Sequence, residues 1–152
     1  MSTNSSLKIL LDLAQQQTDA LARKLGKLNI QQQEAEKKLN LLLQYRHSYQ
    51  LHMQNSTGTG IDHIEWLNYI AFMNKLDAAI TEQRQAVIFA QKIKIAGGDE
   101  FLSSQQKLKS YDTLSQRKKK AEDLMQVKNE QKIQDEFASN SFYRNSHAPK
   151  DS

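Results

Sequence analysis

An unbroken heptad repeat in the first third of the chain most constrains what it can fold into. From residue 7 to residue 53, mostly apolar or small residues recur at alternating steps of four and three. This spacing is typical of a helix that supercoils against another helix, so the sequence predicts a coiled coil. The heptad positions are Leu7, Leu11, Ala14, Thr18, Leu21, Leu25, Leu28, Gln32, Ala35, Leu39, Leu42, Arg46, Tyr49 and Met53.

A second heptad repeat predicts that the partner helix lies in the same chain. It comprises Trp66, Tyr69, Met73, Leu76, Ile80, Gln83, Val87 and Ala90. Its steps run in the reverse order, so each a position can face a d position, as an antiparallel pair requires. Pairing residues whose numbers sum to 115 joins Tyr49 with Trp66, Arg46 with Tyr69, Leu42 with Met73, Leu39 with Leu76, Ala35 with Ile80, Gln32 with Gln83, Leu28 with Val87 and Leu25 with Ala90. A slip of one heptad keeps every a–d match, so the pattern predicts the hairpin and leaves its register open.

The same register continues more weakly past Ala90. It pairs Thr18 with Gly97, Leu11 with Ser104 and Leu7 with Leu108. Two adjacent glycines, Gly97-Gly98, cost about 2 kcal/mol in a helix interior relative to alanine, so we expect a kink there rather than a full break. Beyond Leu108 the helical composition continues without an intramolecular partner.

The predicted fold class is all-α, a long antiparallel two-helix coiled-coil hairpin with an overhanging C-terminal helix. With 38% hydrophobic and 25% charged residues, the chain is too polar for a thick core but suits a two-helix seam. We expect one domain, residues 1–139, with a first helix over about 7–53, a loop at 54–61, a second helix over about 62–137, and a disordered tail at 140–152.

Capping residues flank both predicted helices. Ser5 or Ser6 can cap the first helix. Asp62 can cap the second, with Glu65 at the capping-box position and Ile61 as an apolar staple. The loop end of the hairpin is therefore expected to be well fixed.

Motifs for catalysis, metal binding and membrane crossing are not recognised in this sequence. The chain has no cysteine, no basic targeting segment and no apolar run near the roughly 20 residues that cross a bilayer. His47, His52, His63 and His147 form no i, i+4 pair, and Thr57-Gly58-Thr59-Gly60 lacks the lysine of a phosphate-binding loop. We therefore expect no enzyme, no cofactor and no metal. We expect a cytoplasmic protein that reaches the membrane only through partners.

Four consecutive cations, Arg117, Lys118, Lys119 and Lys120, form a basic cluster in a chain of net charge +4. Acidic residues follow closely, and no aromatic residues interleave to stack on bases. A solvated helix face is the first interpretation and contact with an acidic protein surface the second. Nucleic-acid binding is the third, and we do not expect nucleic acid as a partner.

An apolar stripe beside the seam suggests a docking surface. Phe72, Leu76, Ala79 and Gln83 share one helix face, and Phe72 falls outside the a and d positions. An exposed aromatic residue at such a position favours partner binding. The alternative is that Phe72 only widens the seam by covering Leu42 and Met73.

A set of residues spread over about 7–138 matches a known family of coiled-coil proteins. The matching residues are Leu10, Leu13, Ala14, Trp66-Leu67-Asn68-Tyr69, Phe72, Leu76, Ala79-Ile80, Arg84 and Asp135-Glu136-Phe137-Ala138. With these residues the chain resembles the FliJ-type proteins of bacterial flagellar type III export. The resemblance is strongest in the segment from Trp66 to Tyr69, together with the chain length and the loop position.

The resemblance implies a stalk-like coiled coil whose free ends face the flagellar export ATPase ring. It also implies that Phe72, Leu76, Ala79 and Gln83 contact the cytoplasmic domain of the membrane export gate, with Gln83 at a position where we expect histidine. Substrate-specific export chaperones are further implied partners, and flagellum assembly and motility are the implied process. The alternative is a general coiled-coil adaptor or holdase chaperone unrelated to flagella.

Overall fold

The computed structural model describes the backbone of residues 2–147 and the side chains of residues 5–147. Two helices, α1 (Ser2–Thr57) and α2 (His63–Ser146), account for nearly all of this stretch, and it contains no strand. The buried side chains of α2 pack against α1. The structure thus confirms the predicted all-α helical hairpin.

Both helices extend beyond their predicted ends. Helix α1 begins at Ser2, so Ser5 and Ser6 lie inside it rather than at a cap. Helix α2 ends at Ser146, so residues 140–146 of the predicted disordered tail are helical. There the Ser146 hydroxyl donates to the Tyr143 carbonyl oxygen at 3.0 Å. The end of that predicted tail, residues 148–152, lies outside the described residues.

The turn between the helices is shorter than the predicted loop because α1 continues to Thr57. The hydroxyls of Ser56 and Thr57 donate to the carbonyl oxygens of His52 and Gln54, at 2.9 and 2.7 Å. These bonds satisfy polar groups of the last helical turn. The chain then reverses over residues 58–62, where Gly60 has a φ of 86°, a value that glycine adopts without steric cost.

The structure moves the register by one heptad from the first predicted pairing. Thr18 faces Ser104, at 2.7 Å between hydroxyl oxygens, rather than Gly97. Gly97 instead lies against Leu25 and Leu28. Helix α1 ends four residues later than predicted, and the chain reverses later in the sequence. Thr18 and Leu25 accordingly meet residues of α2 one heptad further on than predicted.

Gly97 has a packing role in this register. It is buried in the seam, and a Cβ atom added there would stand 2.7 Å from Leu28 Cδ1. Any residue larger than glycine at this position would therefore displace the side chain of Leu28. Helix α2 runs through Gly97 and Gly98 without a break.

The chain forms two compact units. The first, Ala14–Gln106, holds the buried apolar residues, namely Ala14, Met73, Leu76, Ile80 and Val87, together with Met53 at the turn end of α1. The second comprises the residues up to Leu13 and those from Lys107 onwards. Within the second unit, half-buried side chains occur up to Lys118, and every described residue of 119–147 is exposed.

Candidate binding surfaces of the hairpin

The four residues predicted to contact an export gate lie on α2 but differ in their accessibility. Leu76 is a core residue, with only 7% of its surface exposed. Phe72, Ala79 and Gln83 are half-buried. The structure therefore brings the four together along one side of the seam, with Leu76 inside it.

An aromatic cluster surrounds Phe72. Its ring centroid lies 4.7 Å from that of Tyr49 and 6.0 Å from that of Tyr45, the latter in an edge-on arrangement. Tyr49 also stacks on Tyr69 at 5.5 Å. Tyr45 is 56% exposed, so the cluster joins the core to the surface. Tyr45 was not among the predicted surface residues, although its spacing of four from Tyr49 places both on one helix face.

Gln83 connects the two helices through a polar contact. Its side-chain amide donates to the Ala35 carbonyl oxygen at 2.9 Å. Gln32, the predicted partner of Gln83, instead donates to Glu36 on its own helix at 3.0 Å. The predicted glutamine layer is therefore absent, as the shifted register requires.

An ion pair joins the helices close to the aromatic cluster. Arg46 Nε donates to Asp77 Oδ1 at 2.6 Å, and this hydrogen bond, with the charge of Asp77, raises the pKa of Arg46 above its ordinary value. Like any arginine, Arg46 is charged at physiological pH, and this contact favours that form further. The predicted pairing of Arg46 with Tyr69 is replaced by this contact with Asp77.

The basic cluster lies on α2 at the point beyond which every described residue is exposed. Lys118 is half-buried, whereas Arg117, Lys119 and Lys120 are exposed. Consecutive residues of a helix point about 100° apart, so these four cations do not share a face. The structure thus distributes the basic cluster around α2.

The distal part of α2, residues 119–147, exposes large apolar side chains. Phe137 and Phe142 are each 76% exposed, and Met125 is 66% exposed. The other large apolar residues exposed here are Leu124, Val127, Ile133 and Tyr143. These uncovered apolar side chains make the distal part of α2 a candidate binding surface.

The described residues, 2–147, contain neither a metal-binding cluster nor a membrane span. Within that range, no group of three histidine, aspartate or glutamate side chains could hold a metal ion. Neither helix there has an apolar stretch long enough to span a bilayer.

The fold and these surfaces define a two-helix coiled-coil hairpin protein with exposed apolar helix faces. A family model described as "Flagellar FliJ protein" matches residues 3–147. Flagellar FliJ proteins of Escherichia coli (strain K12) and Salmonella typhi are each 32% identical over 145 residues, which cover 95% of this chain and 98% of each relative. The chain belongs to the FliJ family of flagellar proteins, which confirms the family predicted from its sequence.

Proposed function

We propose that this protein is a non-catalytic component of the flagellar export apparatus, on the cytoplasmic face of the cell membrane. It supports flagellum assembly and motility by joining partners rather than by chemistry. Family membership supports the flagellar assignment. The observation that carries a binding role is the exposed apolar surface of residues 119–147 in α2.

The distal part of α2 is the part that we assign to the ring of the export ATPase. An isolated helix with a sparse apolar stripe is marginally stable in water, and a partner that covers its apolar residues stabilises it. A ring that receives the free ends of the hairpin would provide this cover. The protein then acts as a stalk, and nucleotide hydrolysis belongs to the ATPase.

The surface around Phe72 is the part that we assign to the cytoplasmic domain of the export gate. Phe72, Ala79 and Gln83 are its half-buried members, and Leu76 supports them from the core. The neighbouring Tyr45 adds an exposed aromatic ring in contact with Phe72. A partially exposed aromatic residue held by packing loses little entropy on binding, which suits it to an interface. Binding of substrate-specific export chaperones completes the proposed role.

The ATPase assignment is tested by adding the protein, at increasing concentration, to the export ATPase of the same organism. ATP hydrolysis and oligomer size are measured together, the latter by analytical ultracentrifugation. We expect both to rise, because a stalk that binds a ring favours its assembly. No change in either, with the hairpin shown to be folded by circular dichroism, would contradict the assignment.

The gate assignment needs variants that leave the core intact. Leu76→Ala is unsuitable because Leu76 is buried, so lost binding could reflect lost stability. Ala79→Asp places a charge on the proposed surface, and Ala78→Asp makes the same change at the adjacent exposed residue. We expect Ala79→Asp to weaken binding to the purified gate domain about tenfold or more, and Ala78→Asp to change it less than about twofold. Equal effects of the two variants would contradict the assigned surface.

The rival function is a general adaptor or holdase. The exposed apolar residues of α2 also suit such a role, because they could bind apolar segments of unfolded or transient partners. A holdase would suppress aggregation of an unrelated denatured protein and would show no dependence on the ATPase. The proposed function predicts the reverse pattern.

A further inference from the structure

Over residues 114–128 of α2, one helix face combines apolar and cationic side chains. Its residues, here called the distal face, are Leu114, Arg117, Ala121, Leu124, Met125 and Lys128. From Leu114 to Lys128 the main line of this face steps three, four, three and four, and Met125 lies beside it. Leu114, Leu124 and Met125 are 50%, 58% and 66% exposed. The distal face is thus an uncovered heptad stripe with positive charge.

Within residues 114–130 the acidic residues lie elsewhere around the helix. At about 100° per residue, Glu122, Asp123 and Glu130 are roughly 110° to 170° away from the middle of the distal face. Lys119 lies on that far side as well, and Lys120 lies about 90° away. The next acidic residue, Asp135, continues the line of the distal face one heptad beyond its last residue, so this line carries no carboxylate as far as Lys128.

We propose that the distal face packs into an apolar groove of a protein partner whose rim carries carboxylates. Leu114, Ala121 and Leu124 have the spacing of knobs that enter a groove between helices. Arg117 and Lys128 lie in the same line, so carboxylates must flank the groove at matching heights to pair with them. The inference rests on the proposed function for the identity of the partner, which is the export ATPase.

An anionic lipid surface fits the distal face less well. An interfacial helix buries a continuous apolar face and keeps its cations at the edges, near the head groups. Here Arg117 and Lys128 interrupt the apolar line itself. Insertion of Leu114 and Leu124 would carry these charges towards the acyl chains at a cost in free energy. A groove with fixed carboxylates offers each cation a partner.

Two double variants of the full chain separate the distal face from the remaining basic residues. Arg117→Glu with Lys128→Glu reverses the charge of the distal face. Lys119→Glu with Lys120→Glu makes the same change in net charge off that face. Binding of each labelled chain to the export ATPase is measured by fluorescence anisotropy at low and at physiological salt, with helicity checked by circular dichroism.

We expect the distal-face variant to bind at least about tenfold more weakly than the native chain. The off-face variant should change the dissociation constant by less than about threefold, since exposed charges outside an interface contribute little. Equal weakening by both variants, or by neither, would overturn the distal face as the contact while leaving the proposed function intact. So would tighter binding of the native chain to vesicles containing anionic lipid, or self-association through this face in sedimentation.

If the native chain does not bind the ATPase, that result counts against the proposed function. The distal face is then tested with a second probe. The probe is a designed helical hairpin peptide with a leucine-lined groove flanked by glutamates, and its matched control carries lysines instead. The native chain should bind the glutamate peptide at least about tenfold more tightly than the lysine peptide, and the distal-face variant should reverse this preference. No preference between the two peptides would overturn the inference.

Discussion

The unit Ala14–Gln106 and the distal residues 119–147 are both helical, yet only the first has a row of buried apolar side chains. In the first, Leu76 and Ile80 are only 7% and 6% exposed, whereas Phe137 in the second is 76% exposed. Both contain large apolar residues, so composition does not explain the difference. The heptad of the first region has a matching heptad on α1, which covers it. The distal apolar residues have no such match, so the comparison shows that pattern and partner together determine burial.

Two engineered disulfides should give the largest difference between variants. They test the register of the two helices, which determines which residues of α2 are covered by α1. The chain has no native cysteine. Thr18→Cys with Ser104→Cys should form a disulfide nearly completely on oxidation, since the native hydroxyl oxygens are 2.7 Å apart. Thr18→Cys with Gly97→Cys should form almost none. Mobility on a non-reducing gel measures both, and the opposite outcome would restore the first predicted pairing.

Truncation of apolar side chains should lower the free energy of unfolding by different amounts in the two regions. Ile80→Ala is expected to lower the free energy of unfolding by about 2–4 kcal/mol, because it leaves a cavity in the buried cluster. Leu124→Ala, at a residue 58% exposed, should change it by less than about 0.5 kcal/mol. Urea unfolding followed by circular dichroism measures both. Similar costs would show that the distal residues are covered in solution.

Substitutions at Gly97 and Gly98 test how closely the two helices pack at one point of the seam. Gly98→Ala should raise the free energy of unfolding by about 1 kcal/mol, since its Cβ meets open space and alanine favours helix. Gly97→Ala has the same helix preference but must displace Leu28 from its rotamer, which costs about 0.5–1.5 kcal/mol. The two variants should therefore differ by about 1 kcal/mol in thermal or urea unfolding. Equal stabilisation by both would indicate a looser seam.

The hydroxyl pair inside the seam should show a small but measurable coupling. Thr18 is 6% exposed, and its hydroxyl contacts both the Ala14 carbonyl oxygen and Ser104. Thr18→Val or Ser104→Ala should each cost about 1 kcal/mol, because one hydroxyl is left without its partner. The double variant should cost less than the sum by at least about 0.5 kcal/mol. Strict additivity in urea unfolding would mean that the pair does not interact.

The heptads predicted the hairpin and left its register open, because both registers place a opposite d. The turn itself differs from the prediction, since Ser56 and Thr57 bond to backbone carbonyls inside α1, which stays helical to Thr57. These residue types also favour loops, so the sequence suggested an earlier reversal. The observed register thus goes with a later reversal of the chain.

The candidate surface around Phe72 could be predicted only in part. The spacing placed Phe72, Leu76, Ala79 and Gln83 on one face, and the structure keeps them adjacent. Leu76 is a heptad position of the seam in either register, and it is buried there. The spacing could not show how far Phe72, Ala79 and Gln83 are covered, because their exposure depends on packing across the seam. Likewise, the contact of Tyr45 with Phe72 joins two helices and has no signature along the sequence.

The pair formed by Thr18 and Ser104 has a consequence for how the chain folds. Contacts between α1 and α2 that begin near the turn form fastest, because they close the shortest loops. A hairpin that starts to zip one heptad out of step still matches its apolar layers, and it meets the mismatch at Thr18 only after most of the seam has formed. There Ser104 would face Leu11 and Thr18 would lose its hydroxyl partner. The hydroxyl pair therefore distinguishes the two registers late, so a chain that has zipped out of step must open most of the hairpin to reach the native register.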